Sequence, residues 1–170
     1  MEFIVSILHY SNEAFIFYLP VFVANLLIYL NFTIMGLDIP LDLHNKIKGK
    51  RIIGNGRSIA GVFFFISISM IVTLLQQRPL LEGIYLGAGG VFGCVIGSFI
   101  KRRLNLKQGN YSFFIDQTDF ILGSSLFFIT GYTLKIDIFI MGIVIALILH
   151  HIINLFRKTW EKNKWVTIKT

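Results

Sequence analysis

Three observations predict an all-α, polytopic membrane protein with about five transmembrane helices. The 170 residues are 55% hydrophobic and only 15% charged, against about 25% charged in an ordinary globular chain. Mean hydropathy is +0.71. Five apolar stretches are long enough to approach the roughly 20 residues that a helix needs to cross the hydrocarbon. A cytosolic globular enzyme and a disordered chain are excluded by this composition, and a disulfide scaffold by the single cysteine, Cys94. The whole chain, 1–170, reads as one membrane domain.

The first span covers roughly 13–32 and carries Pro20 and Asn25. Residues 1–10 have no basic region, so they read as extra turns or an interfacial segment rather than a signal peptide. The second and third spans, roughly 58–77 and 79–100, are joined by Gln77-Arg78-Pro79. Gly89, Gly93 and Gly97 recur every four residues in the third, a stripe for close helix packing. The fourth span, roughly 118–134, is short and opens beside Asp119. The fifth covers roughly 136–156 and ends near His150, His151 and Asn154. No internal repeat or low-complexity tract is present.

Charge sets the orientation. Lys46, Lys48, Lys50, Arg51 and Arg57 lie between spans one and two. Lys101, Arg102, Arg103 and Lys107 lie between three and four, and Arg157, Lys158, Lys162, Lys164 and Lys169 follow five. Five spans put all of these on one face and leave only Arg78 and Lys135 on the other. The positive-inside rule makes the cationic face cytoplasmic, with the N-terminus outside, the C-terminus cytoplasmic, and cytoplasmic loops at 33–57 and 101–117. Cations so segregated belong to a membrane surface and its anionic ligands, not to nucleic acid. A small transporter would place polar groups near the midplane, which this pattern does not favour.

The loops carry the chemistry. Gly49-Lys50-Arg51 and Gly54-Asn55-Gly56-Arg57-Ser58 lead into span two. Glycines let backbone N–H groups approach an oxyanion, and a helix start favours negative charge. The match to a P-loop is poor, and a Gly turn with a positive-inside anchor explains the segment equally well. Gly97-Ser98-Phe99-Ile100-Lys101-Arg102-Arg103 closes span three, a cluster that suits either a stop-transfer signal or a phosphate. Asp116 and Asp119, three apart, share a helix face near the bilayer edge. Carboxylates there need a cation or a basic partner. With a phosphate ligand, hard oxygen donors point to Mg²⁺; the competing reading is helix capping with a salt bridge. Asn25, inside span one, needs a hydrogen-bond partner.

Taken in order, these motifs resemble the CDP-archaeol synthase family, archaeal cytidylyltransferases distantly similar to the phosphatidate cytidylyltransferases. The resemblance runs through Leu19-Pro20-Val21-Phe22-Val23-Ala24-Asn25, Pro40-Leu41-Asp42, Gly49-Lys50-Arg51, the Gly54–Ser58 loop with Gly61, Gly97–Arg103, Asp116-Gln117-Thr118-Asp119-Phe120 and the terminal His/Asn segment. It implies Mg²⁺-dependent transfer of CMP from CTP to digeranylgeranylglyceryl phosphate, giving CDP-archaeol and pyrophosphate in phospholipid biosynthesis. The implied catalytic residues are Asp116, Asp119, Lys101 and Arg102, with Asp116, Asp119 and Asp42 on the metal. Lys50, Arg51 and Arg57 would hold the triphosphate, and Lys101 and Arg102 the lipid phosphate. Asn25, Asp42, Gly54, Gly56, Ser58 and Ser98 complete the substrate-binding set. Partners are then CTP, the lipid phosphate and membrane lipids, with a homo-oligomer left open. Alternatives are diacylglycerol phosphate or another lipid phosphate as acceptor, or a non-catalytic protein that binds anionic lipid. Asn55, Arg57 and Ser58 stand where the family usually has Asp, Lys and Thr, and Cys94 where it usually has Asp.

Overall fold

The computed structural model describes residues 2–31, 39–106 and 115–167. It contains five helices, α1 (Glu2–Asn31), α2 (Ile59–Leu75), α3 (Leu80–Arg103), α4 (Ile115–Phe128) and α5 (Ile136–Thr167). Two short strands, β1 (Lys46–Ile47) and β2 (Lys50–Arg51), pair antiparallel in the loop before α2. The residues preceding the first expected span continue α1 back to Glu2.

Contacts along the helices fix their directions. Asn25 meets His150, and the Tyr18 ring lies against Gly142, so α1 and α5 run the same way. Gln76 reaches the Ile16 carbonyl while Ser69 reaches that of Pro20, so α2 runs opposite to α1. Gly89 faces Gly123 and Gly97 faces Asp119, so α4 runs opposite to α3. The C-terminal ends of α3 and of the described part of α1 therefore share one end of the bundle with the starts of α2 and α4. The β1–β2 hairpin sits there too, because Arg103 at the end of α3 donates to the carbonyls of Ile47 and Arg51.

The expected spans differ from the helices in length. Among the described residues, α1, α3 and α5 each contain a stretch long and apolar enough to cross a membrane; α2 is a 17-residue apolar helix. The fourth span, expected at 118–134, is a 14-residue helix at Ile115–Phe128, only about 21 Å long at 1.5 Å per residue. It ends early because Gly131 and Tyr132 turn the chain, both donating to the Phe128 carbonyl. Its surface is mostly buried, including Gln117, Thr118, Asp119, Ser124 and Ser125. It packs chiefly against α3, while Leu122 and Leu126 remain exposed.

Glycine decides how closely that centre packs. A Cβ on Gly93 would lie 1.9 Å from the Asp119 carbonyl oxygen, and one on Gly89 2.4 Å from that of Gly123. The α3 and α4 backbones thus touch without intervening side chains, as a small-residue stripe permits. A second stripe on α3 faces α2, where Cβ atoms on Gly83, Gly87 and Gly90 would press on Thr73, Ser69 and Phe65.

Several polar groups within the bundle find partners on neighbouring helices, as hydrocarbon demands. Pro20 has no N–H, which frees the Ile16 carbonyl four residues back. Gln76 Nε2 supplies the missing donor at 2.7 Å. Tyr18 Oη and Ser125 Oγ lie 2.6 Å apart, and Ser124 donates to the Leu86 carbonyl.

Candidate active site

The loop before α2 is built around Asp42. Arg51 donates to both its carboxylate oxygens, through Nε at 3.1 Å and a terminal nitrogen at 2.6 Å. The backbone N–H groups of His44, Ile53 and Gly54 also donate to it. These donors hold its carboxyl well below the usual carboxylate range, the Arg51 guanidinium foremost. Asp42, expected on the metal, accepts all of these hydrogen bonds within its own loop. Arg51, expected on a triphosphate, pairs with Asp42 and ties the loop together. Lys48 and Gly49 both have positive φ, the two-residue turn that a tight hairpin requires, and it leaves Lys50 exposed.

From this loop the chain enters α2. Leu41 N–H donates to the Arg57 carbonyl, and Pro40 bridges Ser58. Ser58 caps α2 by accepting from Gly61 N–H at 3.1 Å. Gly54 adopts φ of +100° while accommodating Asp42. A Cβ at Gly56 would meet nothing within 4 Å, so packing does not demand a glycine there.

The centre of the site joins three segments. Arg57 Nε donates to Ser98 Oγ on α3 at 3.3 Å, and its guanidinium stands 4.0 Å from Asp119 Oδ2 on α4. Lys101 on α3 pairs with Asp116 on α4. Gly97 provides the space for Asp119, since a Cβ there would lie 2.6 Å from Oδ2. Asp119 Oδ1 accepts from Phe120 N–H at 2.7 Å and lies 3.9 Å from Cys94 Sγ. Its Oδ2 is buried and has no hydrogen-bond donor among the described residues.

The three consecutive cations at the end of α3 point apart, because each residue turns the helix by about 100°. Lys101 enters the site. Arg102, expected on the lipid phosphate, donates to the Leu106 carbonyl at 2.7 Å. Arg103, the last residue of the cluster that suited a stop-transfer signal or a phosphate, holds the hairpin against α3. Asn25 finds its partner in His150, Nδ2 to Nε2 at 3.3 Å, with His150 Nδ1 near the Ala146 carbonyl. A tautomer with the proton on Nδ1 satisfies both contacts. The His150 ring packs near Phe120, one residue from Asp119. Lys107 lies outside the described residues, as do positions 32–38 and 108–114 of the two loops.

Asp116, Asp119, Arg57, Ser98 and Lys101 are thus together, while Asp42, Lys50 and Arg51 form a separate hairpin and clamp beside them. Two carboxylates flanked by two cations at the foot of a glycine turn suit a pair of phosphate groups.

The chain is similar over most of its length to known proteins. The family model described as "CarS-like: CDP-archaeol synthase" matches residues 4–82 and 77–163. A CDP-archaeol synthase of Methanococcus maripaludis is 33% identical over 167 residues, with 86% of this chain and 92% of the relative covered. One from Sulfurisphaera tokodaii is 32% identical, with 87% and 91% covered. A solved structure described as an intramembrane enzyme for archaeal membrane lipids biosynthesis superposes with a TM-score of 0.71. It shares 28% identity, over 84% of this chain and 93% of that one. By sequence over most of its length and by fold, the chain belongs to the CDP-archaeol synthase family.

Proposed function

We propose that the protein transfers CMP from CTP to an archaeal ether-lipid phosphate, releasing pyrophosphate, at the end of the bundle where its basic loops gather. One observation carries this reading: Arg57, Lys101, Asp116 and Asp119, drawn from three separate segments, converge beside the glycine turn that opens α2.

The chemistry asks little of a base. A phosphate monoester has a second pKa near 6, so its oxygen is already a nucleophile at neutral pH. That oxygen attacks the α-phosphorus of CTP, a P–O bond forms, and the bond to the β-phosphate breaks. The barrier lies in bringing two anions together and in the negative charge of the departing pyrophosphate. Lys101 and Arg57 supply fixed positive charge, and Ser98 steadies the Arg57 side chain. The open backbone at Gly56 gives the triphosphate a close approach.

Mg²⁺ fits the donor set through Asp116 and Asp119. It commonly uses one or two carboxylates and completes its shell with phosphate oxygens and water. Among the described residues no three His, Cys, Asp or Glu side chains cluster, so substrate oxygens would provide the rest. When bound, the ion would neutralise charge on the reacting phosphates. Asp42 is not needed in that shell. The cation distribution supports a cytoplasmic site.

Purified protein given α-labelled CTP, with digeranylgeranylglyceryl phosphate and diacylglycerol phosphate in parallel, tests the reading. Labelled CDP-lipid that requires Mg²⁺ and disappears in Asp116→Asn is the expected result, and the ratio of products gives the lipid preference. No product from either lipid, in folded protein, would overturn it in favour of an anionic-lipid-binding protein in which Asn55 and Cys94 have replaced needed acids.

A further inference from the structure

The β1–β2 hairpin displays side chains that packing does not use. Lys46, Ile47, Lys48 and Lys50 are all exposed, as are Leu43 and His44 in the preceding turn. Leu43 and His44 hold φ of +45° and +66°, a region uncommon for a side chain as large as leucine. The turn so formed leaves Leu43 60% exposed, and Ile47 follows at 45%. Ile47 and Lys50 are cross-strand partners, so they share one face of the ribbon. On the other face Lys46 stands opposite Arg51, which turns to Asp42. Asp42, Asp116 and Asp119 each face a cation of their own, Arg51, Lys101 and Arg57. Among the described residues, no ion pair engages the three hairpin lysines.

Arg103 fixes the height of the ribbon. It is the last residue of α3, a helix long and apolar enough to cross a membrane. Its guanidinium lies 5.2 Å from the Phe99 ring and donates to the carbonyls of Ile47 at 3.1 Å and Arg51 at 2.8 Å. The hairpin is therefore within one side chain's reach of the place where α3 leaves the hydrocarbon. Aliphatic side chains displayed at that level among lysines are the pattern of an interfacial element.

We propose that the β1–β2 hairpin is a membrane-surface element that seats Leu43 and Ile47 among the lipid headgroups and gathers anionic lipids around Lys46, Lys48 and Lys50. Charge complementarity selects these lipids over neutral ones. Arg51 ties the ribbon to Asp42, whose carboxylate also holds the N–H of Gly54 in the turn leading to Arg57. The gathered lipids thus stand beside the candidate site without occupying it. The proposal is independent of transferase activity, and its test is a binding measurement.

Full-length protein with Asn45→Cys carries a fluorescent label at that exposed position and is placed in nanodiscs of neutral diether lipid. Cys94 is buried and leaves the label a single site. A minority of lipid bearing a nitroxide near the headgroup is added, either phosphatidylglycerol or phosphatidylcholine. Quenching by the anionic lipid should exceed that by the neutral one about fivefold or more, the factor that one lysine close to an anionic surface contributes. The excess should vanish when Lys46→Gln, Lys48→Gln and Lys50→Gln are combined. It should also vanish in about 1 M salt, where the Debye length is about 3 Å, and persist in Lys135→Gln at the opposite end of the bundle. Leu43→Ser with Ile47→Ser should reduce quenching by both lipids. These side chains are exposed, so each variant should match the wild type in size-exclusion chromatography.

Equal quenching by the two lipids, no quenching by either, or an excess that survives loss of the three lysines would overturn the proposal. So would an excess abolished by CTP but not by sodium chloride of equal ionic strength, which would assign the lysines to the nucleotide.

Discussion

Aspartates of one composition do three different things in this protein. Asp42 is saturated by Arg51 and three backbone N–H groups, Asp116 is paired with Lys101, and Asp119 keeps one oxygen without a hydrogen-bond donor among the described residues. Asp116→Asn and Asp119→Asn should each lower kcat by about 10²-fold or more, the range seen when one stabiliser of developing charge is removed. Steady-state turnover with the fold intact by size-exclusion chromatography checks this. Asp42→Asn should instead loosen the 40–58 loop, read as faster amide exchange at Ile53 and Gly54. The Asp42 carboxyl is held low in the folded state. Its stabilising contribution is therefore complete above the unfolded value of about 3.9 and fades as pH falls through the lower folded value. The difference in stability between wild type and Asp42→Asn should be flat from pH 5 to 7 and shrink below about 4, as thermal melts across that range would show. Gly56→Ala separates ligand from fold. With φ not positive and open space around it, it should leave the melting temperature unchanged and raise KM for CTP if the triphosphate approaches that backbone.

At the scale of elements, α3 and α4 form the inner pair. The glycine stripe at 89, 93 and 97 was legible from its four-residue spacing, and its contact with α4 is what that spacing allows. What spacing did not reveal is that Gly97 shapes the site as well as the packing, by leaving room for Asp119. The second stripe, facing α2, was unread because a helix with six glycines in its sequence offers more than one small-residue face. Gly93→Leu should separate α3 from α4, since even a Cβ would overlap the Asp119 carbonyl. The expected result is loss of monodisperse protein in detergent, while Ala88→Leu, outside both stripes, should remain folded. The β1–β2 hairpin was missed because each strand has only two residues, too few for any hydropathy alternation; the Lys48-Gly49 turn was its one available signal.

For the whole molecule, helix directions gather the Lys46–Arg57 loop and Lys101–Arg103 at one end, with Arg78 and Lys135 at the other. A membrane-impermeant maleimide applied to intact cells should label Lys135→Cys and leave Lys48→Cys unlabelled until the cells are opened. Cys94 is buried and gives little background. Labelling of Lys48→Cys from outside would invert the assignment and move the site to the external face.

The sequence by itself determined the class of the protein, its five helices and the segregation of its cations. Those depend on composition and on the length of apolar runs, which the bilayer reads directly. Its motif order also pointed to the family, because the phosphate-directed residues lie in short contiguous segments. Only the tertiary structure decided how the charges are shared. Arg51 and Arg57 look equivalent in one basic loop, yet one locks Asp42 and the other reaches across to Ser98 and Asp119. Lys101, Arg102 and Arg103 are adjacent in sequence, yet they face a carboxylate, a carbonyl of their own loop and a hairpin. An ion pair depends on distances between segments tens of residues apart, set by how closely the glycine faces of α3 let α2 and α4 approach. No local pattern carries that information.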